Sequence, residues 1–191
     1  MIGFYFMHKI IIRQRKYCLL PLYSAPPSDK LNLMENLYHE LKRCQPFASV
    51  SQEVVVSLAR TGDQLDNQLS QFFRQRELTF SQYNLLRILD MENRPLTCGE
   101  IGERLVQIVP AVTALVDRLL IRDLVTRSRS ETDRRTVYVA ITEKGRDLVG
   151  PASEELRDFE NTLLKGLKQK DKKELIHLLQ LVRESIKNAD K

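Results

Sequence analysis

The apolar and polar positions between residues 97 and 121 predict two short helices joined by a turn. Thr97 and Glu100 have the spacing of a capping box, which marks the start of the first helix. Pro110 suits the first position of the second helix, where its missing N–H costs nothing. The apolar stripe of the second helix consists of Val112, Leu115, Val116, Leu119 and Leu120. Two short helices around a tight turn form a helix-turn-helix, whose second helix can enter a DNA major groove.

Beyond residue 124 the apolar period changes from helical spacing to two, which predicts a β-hairpin. Apolar residues and arginines alternate in the first strand, 124–130, and the second strand, 136–142, has one apolar face. The connector 131–135 is too highly charged to enter a core. Between positions 118 and 135 there are six arginines and three acidic residues, a local excess of +3. A helix-turn-helix followed by such a basic hairpin is a winged helix.

Two amphipathic segments precede this unit. Residues 35–73 have apolar positions at helical spacing, and Pro46 is expected to divide that helix into two pieces. Residues 78–89 predict a second helix, in which Thr79 and Gln82 have capping-box spacing. The apolar face of that second helix is expected to pack against the helix-turn-helix.

Two further amphipathic segments follow the hairpin. Thr142 is the expected N-cap of the first, and Gly150 with Pro151 is expected to kink or break it. Asp171 with Glu174 is expected to begin the last helix. We therefore predict a mostly α (α+β) fold, a winged helix-turn-helix with N- and C-terminal dimerisation helices. The predicted segments are 1–33 (extension), 34–76 (N-terminal helices), 77–145 (DNA-binding domain) and 146–191 (C-terminal helices).

Length and composition limit the class of protein. A chain of 191 residues allows one substantial domain with extensions, and a net charge of +5 permits an anionic partner. Three widely spaced cysteines indicate neither a disulfide framework nor a zinc site. The sequence contains no glycine-rich phosphate loop, nucleophile motif or metal cluster, so we expect neither an enzyme nor a bound cofactor. Without an apolar run of about 18 residues, we expect no membrane span and a cytoplasmic location.

Residues 1–33 differ in composition from the rest of the chain. Apolar stretches precede the basic cluster of Arg13, Arg15 and Lys16, which is the wrong order for a signal peptide. We expect a flexible extension or a wrongly assigned start, with Met34 the true first residue. An amphipathic membrane anchor is the alternative. Mass spectrometry of the native N-terminus distinguishes these alternatives.

Several phrases in this order resemble the MarR family of bacterial transcription regulators. They are VTALVDRL at 112–119, DRR at 133–135 and ITEKG at 141–145. The family pattern has a recognition helix containing "LVDRL", a wing tip with "DRR" and an "LTEKG" entry to the next helix. The resemblance covers about residues 49–188, and the order and spacing of the phrases carry it.

The resemblance implies a sequence-specific DNA-binding regulator, a repressor, that acts as a homodimer. First and last helices of the family intertwine between subunits, so two recognition helices meet half-sites about one helical turn apart on a near-palindromic operator. Family members often bind small anionic aromatics, so a small aromatic or phenolic effector is expected. The alternative for the apolar stripes is that they close a monomeric core.

Candidate DNA contacts follow from the helix-turn-helix and the wing. Base-edge candidates are Gln107, Pro110, Ala111, Thr113 and Ala114, and phosphate candidates are Arg118, Arg127 and Arg129. In the wing, Asp133 can hold one guanidinium while the other arginine enters the minor groove, and either Arg134 or Arg135 can take either role.

Three positions modify these expectations. Ala114 stands where the family often has a polar or basic residue. We therefore expect few base-specific hydrogen bonds, and a larger part of the sequence specificity from apolar contacts or DNA shape. Asp123 stands where the family often has glycine, and aspartate tolerates the left-handed conformation that this turn needs. Cys98 lies in the first turn of a helix, a position that favours a thiolate, although burial of this side chain beside the helix is the interpretation we favour over sensing.

Two other functions remain open from the sequence. One is a redox-sensing regulator that acts through Cys98. The other is a winged helix that contacts only proteins, and the arginine-rich wing argues against it.

Overall fold

The computed structural model describes residues 37–107, 111–133 and 135–189. The predicted extension 1–33, the base-edge candidate Pro110 and the wing residue Arg134 lie outside those ranges. The described part of the chain divides into two units, with the boundary between Asp66 and Asn67. In the first unit lie α1 (Leu37–Glu40) and most of α2 (Val50–Arg74), so a break near Pro46 is confirmed.

The second unit is a winged helix-turn-helix, mostly helical with one small antiparallel sheet. Its elements are α3 (Phe80–Glu92), β1 (Leu96–Thr97), α4 (Cys98–Arg104), α5 (Val112–Ile121), β2 (Val125–Arg129), β3 (Val137–Ile141), α6 (Glu143–Leu163) and α7 (Gln169–Ala189). The strand order is β1-β3-β2, so β3 is central and β2 forms an edge. Arg127 on that edge pairs with Val139, and Arg129 pairs with Val137. The predicted hairpin is confirmed, and the structure adds its register.

Local hydrogen bonds start the helices where the sequence predicts. Thr79 and Gln82 form a reciprocal capping box, with the Gln82 N–H 3.2 Å from Thr79 Oγ1 and the Thr79 N–H 2.9 Å from Gln82 Oε1. Thr97 and Glu100 do the same at the start of α4. Thr142 accepts the Gly145 N–H at 3.0 Å and caps α6. These caps satisfy backbone donors that a helix leaves unpaired at its N-terminus.

One continuous core holds α3 to α6 and the sheet together. Phe73, at the end of α2, is fully buried and stacks on Phe80 and Tyr83 with ring centroids 5.7 and 4.6 Å apart. Leu85, Leu86 and Leu89 of α3 are buried in the same cluster, as predicted for the helix that faces the helix-turn-helix. The remaining fully buried large side chains include Leu96, Ile101, Val116, Leu119, Leu124, Val125, Val139 and Val149.

The hairpin and α6 approach each other unusually closely at Gly145. A Cβ on this residue would lie 2.3 Å from the Leu124 carbonyl oxygen and 2.7 Å from Ile141 Cγ1. The Thr142 hydroxyl donates to the Asp123 carbonyl at 2.8 Å, which fixes the same corner. Asp123 has φ 57°, the left-handed conformation expected for the turn that ends α5. Only glycine fits at position 145 without displacing the backbone.

Of the kink or break expected at Gly150, the break is wrong, because α6 runs as one helix from Glu143 to Leu163 with Pro151 inside it, and the kink stays a prediction. Val149 and Ala152 on either side are buried in the core, so tertiary packing offsets the lost backbone hydrogen bond. Gly150 has no Cβ, which removes the main clash between a proline ring and the residue before it. Ser153 also donates to the Val149 carbonyl at 2.7 Å and reinforces this turn.

The last helix begins earlier than predicted. α7 starts at Gln169, and Asp171 lies in its first turn, where its carboxylate accepts the Lys168 N–H at 3.2 Å. Asp171 therefore caps from inside the helix and not from the position before it. None of the residues of α7 is buried.

Two features are absent from the described residues, namely a membrane-spanning helix and a cluster of metal ligands. Among the described residues, none of the helices has both the length and the apolarity of a membrane span. Over the same ranges, no three His, Cys, Asp or Glu side chains come together as a metal site.

Candidate nucleic-acid interface

Helix α5 buries one face and exposes the other. Leu115, Val116 and Leu119 enter the core, as the sequence predicts. The predicted contact residues Ala111, Thr113, Ala114 and Arg118 are all exposed on the opposite side. Ala111 precedes the helix and gives no side-chain hydrogen bond to its first turn. The outward face of α5 is therefore accessible along its whole length.

The turn before α5 differs from the expectation at Gln107. Its side-chain oxygen accepts the Ser81 hydroxyl at 2.7 Å, and the residue is half-buried. Ser81 belongs to the first turn of α3, so this bond ties the helix-turn-helix turn to α3. The structure thus gives Gln107 a packing contact within the fold, whereas the sequence indicated only an amide at the right distance from a base.

Ion pairs fix α4 to the end of α3. Glu92 pairs with Arg104 at 3.2 Å, and Arg94 pairs with Glu92 at 3.6 Å and with Glu100 at 3.0 Å. The Thr97 N–H also donates to Glu100 at 2.8 Å. Hydrogen bonds from the Thr97 backbone, then from the Arg94 and Thr97 side chains, lower the pKa of Glu100 from 4.5 to about 2. This carboxylate therefore holds the first helix of the pair in place.

Acid is expected to weaken this anchor. Because the folded-state pKa of Glu100 lies below its unfolded value, the stability it adds is complete above about pH 4.5 and is lost as pH falls towards 2. Glu100→Gln keeps a hydrogen-bond acceptor but does not titrate. The difference in melting temperature between wild type and Glu100→Gln should therefore shrink over that window. Thermal unfolding followed by circular dichroism across it is the measurement.

Glu103→Gln is the matched control, because Glu103 is exposed on the same helix and the substitution removes the same charge. Its difference from wild type should stay nearly constant over the same pH range. A constant difference for Glu100→Gln as well would remove the carboxylate from the anchoring role.

Arg127 joins the wing to α5. Its Nη1 lies 2.6 Å from Asp117 Oδ1, and its Nη2 donates to the Thr113 carbonyl at 3.4 Å. The sequence assigned Arg127 to a phosphate and gave Asp117 no role. A contact between residues ten apart on different elements leaves no periodic pattern, so sequence reasoning had no means of finding it.

The wing tip is organised by hydrogen bonds to its own backbone. Asp133 Oδ1 accepts the Arg135 N–H at 3.0 Å, and Oδ2 accepts the Thr136 hydroxyl at 2.9 Å. The hydrogen bond from the Arg135 backbone has the larger effect and that from the Thr136 side chain the smaller, and both lower the pKa of the Asp133 carboxyl below its ordinary value. We expected this carboxylate to hold a guanidinium. Within the described residues, the Asp133 carboxylate instead fixes the turn through these two hydrogen bonds. Arg134 is not among those residues, so an ion pair between Asp133 and Arg134 stays a prediction.

The remaining wing and helix arginines face solvent. Arg118, Arg129 and Arg135 are exposed. Over the described ranges, their guanidinium groups enter no ion pair, in contrast to those of Arg94, Arg104, Arg122 and Arg127. These three side chains therefore combine a full positive charge with freedom to meet an anionic partner.

Cys98 lies in the first turn of α4. Its side chain is half-buried and packs against the core cluster, and it is a free thiol. Redox sensing through Cys98 stays a prediction.

Comparisons with known proteins agree with this geometry. A family model described as "MarR family" matches residues 77–136, the helix-turn-helix and most of the wing. The HTH-type transcriptional regulator SarZ of Staphylococcus aureus is 25% identical over 121 residues, which cover 63% of this chain and 74% of SarZ.

Solved structures extend the match to more of the chain. A MarR transcription factor from Planctomyces limnophilus is 35% identical, and the alignment covers 71% of this chain and 99% of that one with a TM-score of 0.55. The Staphylococcus aureus MepR–DNA complex is 21% identical and covers 69% of this chain and 96% of that one with a TM-score of 0.62. The second similarity is one of fold.

Proposed function

Because the chain belongs to the MarR family of transcription regulators, we propose that it is a repressor that binds a near-palindromic DNA operator as a homodimer. The observation that carries this proposal is the exposed outward face of α5 beside the free wing arginines. A helix face without core contacts can enter a major groove, and exposed cations beside it can bind phosphates. The relatives found are regulators and not enzymes. We place the protein in the cytoplasm and assign it no cofactor.

The apolar surface of α7 supports a dimer. Leu175, Ile176, Leu178 and Ile186 are between 42 and 64% exposed, although α7 is long and amphipathic. Water-exposed leucine and isoleucine side chains at helical spacing favour burial against another surface. Since α7 buries no residue in its own subunit, the alternative that its stripe closes a monomeric core is disfavoured. A second copy of the chain is the partner that a symmetric operator requires.

Selection of bound duplexes from a random DNA pool tests the proposal as a whole. We expect two inverted half-sites whose centres lie about one helical turn apart, roughly 10 base pairs. A single half-site in every selected duplex would contradict the dimer, and no enrichment of any sequence would contradict specific DNA binding.

Loss of a wing arginine should lower the salt dependence of binding. Arg134→Ala and Arg135→Ala are each expected to weaken operator affinity and to reduce the slope of log K against log salt by about one unit for each wing affected. Each neutralised phosphate releases condensed counterions, which is why the slope counts contacts. Fluorescence anisotropy at several salt concentrations measures both quantities.

Arg157→Ala is the matched control for these variants, because Arg157 is exposed on α6, away from the wing. It removes the same charge and should leave the slope unchanged. Wing variants that keep both affinity and slope would exclude the wing from the interface.

An open groove offers a place for a small aromatic or phenolic effector. It has a volume of about 500 Å³ and is lined by Glu77, Arg122, Leu124, Lys144, Asp147 and Leu148. Arg122 donates to the Glu77 carbonyl, and the Lys144 ammonium donates to the Arg122 carbonyl at 2.8 Å. The two cations of the lining are balanced by the carboxylates of Glu77 and Asp147, so the leucine side chains and paired charges suit a neutral phenol better than an anionic aromatic compound. Calorimetric titration with benzoate and phenol derivatives tests this, and binding that survives Arg122→Ala would place the ligand elsewhere.

A winged helix that contacts only proteins is the second candidate function. The free wing arginines argue against it, and retention on a column of random duplex DNA distinguishes the two. Salt-dependent retention supports DNA binding, and its absence supports the protein partner.

A further inference from the structure

The outward face of α5 has an uneven chemistry along its length. Ala111 is the exposed N-cap residue of α5, and Ala114, Arg118 and Ile121 follow it at the helical spacing i, i+4 and i+7 in one exposed stripe. The first two side chains are single methyl groups, the third is a cation and Ile121 is 82% exposed. Over the described residues, the N-terminal half of this stripe has no side chain that can donate or accept a hydrogen bond.

The polar side chains next to the stripe are already engaged or lie on its flank. The Asp117 carboxylate is paired with Arg127 at 2.6 Å, so it does not face a base as a free acceptor. Thr113 precedes Ala114 by one residue, so helical spacing turns its exposed side chain about 100° away from that of Ala114, and its carbonyl accepts from the same arginine. Gln107 is held by Ser81. Within the described residues, the part of the stripe at the first turn of α5 therefore presents only methyl groups to a groove.

From this arrangement, and resting on the proposed function, we infer that α5 recognises the C5-methyl group of a pyrimidine in each half-site through Ala111 and Ala114. Side chains of one carbon let the helix backbone approach the base edges closely, and a thymine methyl group is the apolar feature of the major groove. An alanine methyl group cannot distinguish the O4 of thymine from the N4 amino group of cytosine. Thymine and 5-methylcytosine should therefore be accepted alike, and unmethylated cytosine and uracil rejected alike.

Base analogues test this inference directly. Starting from the selected operator, single thymines are replaced by deoxyuridine, which removes only the methyl group, and T·A pairs are replaced by C·G or 5-methyl-C·G. One or two thymines in each half-site should be sensitive to this change. Deoxyuridine at one such thymine should weaken binding about fourfold, and the same change in both half-sites should weaken it roughly fifteenfold. At the same positions, 5-methylcytosine should bind tighter than cytosine by about the same factor as thymine binds tighter than uracil.

Two variants locate the contact. Ala114→Gly should reduce the thymine-to-uracil ratio of affinities from about fourfold towards one at the position that Ala114 contacts. Because the same variant is compared on two duplexes, any loss of helix stability cancels. Thr162→Ser removes one methyl group from an exposed side chain of α6 and is the control that should leave the ratio unchanged. Thr113→Ser tests the exposed methyl group next to the stripe.

The outcomes separate this inference from the function on which it rests. Specific operator binding that is indifferent to deoxyuridine at every position overturns methyl recognition and leaves the regulator intact. A ratio that falls with Thr113→Ser and stays constant with Ala114→Gly also overturns it. Failure to enrich any DNA sequence overturns both.

Discussion

Replacing Gly145 by alanine is expected to destabilise the winged helix by about 3 kcal/mol, at the upper end of what overpacking costs. The added Cβ would lie 2.3 Å from the Leu124 carbonyl oxygen, which belongs to the backbone and cannot rotate away. At a fixed protein concentration, this should lower the melting temperature by roughly 6–12 °C. Thermal unfolding followed by circular dichroism is the measurement.

Gly62→Ala is the matched control for Gly145. Gly62 lies inside α2, and a Cβ there would meet no atom within 4 Å. Its replacement should raise stability by about 0.5–1 kcal/mol, because alanine has the higher helix propensity. A gain at both positions would show that the corner of β2, β3 and α6 is looser than its geometry indicates.

Loss of Arg127 is expected to weaken operator binding by roughly 30-fold, about 2 kcal/mol. Arg127→Ala releases the hairpin from α5 and leaves the Asp117 carboxylate, 51% exposed, without its cation. An unpaired carboxylate on this face would repel the DNA phosphates. Fluorescence anisotropy with the selected operator measures the loss.

The double variant Arg127→Ala/Asp117→Asn separates this positioning role from the phosphate contact that the sequence suggested. If Arg127 acts by neutralising Asp117, removing the carboxylate as well should restore affinity to within roughly fivefold of wild type. If Arg127 binds a phosphate itself, the double variant should stay as weak as Arg127→Ala and show a lower salt slope. Asp117→Asn alone should bind at nearly wild-type affinity in either case.

Local sequence patterns predict the elements and most of their boundaries. Thr79, Thr97 and Thr142 cap their helices, and the change of period after residue 124 places the hairpin. Asp123 adopts the left-handed conformation that its residue type allows. Each of these depends on hydrogen bonds or side-chain directions within about four residues, which a linear pattern records directly.

How these elements pack against one another depends on long-range contacts that are visible only in the tertiary structure. Burial of Val149 and Ala152 carries α6 through Pro151, against the local preference of proline for a break. Arg127 contacts Asp117 on α5, and Gly145 is needed because the Leu124 carbonyl and the Ile141 side chain lie within contact distance of it. These outcomes depend on the distance between residues far apart in the chain. That distance is set by the packing of whole elements, which no local pattern contains.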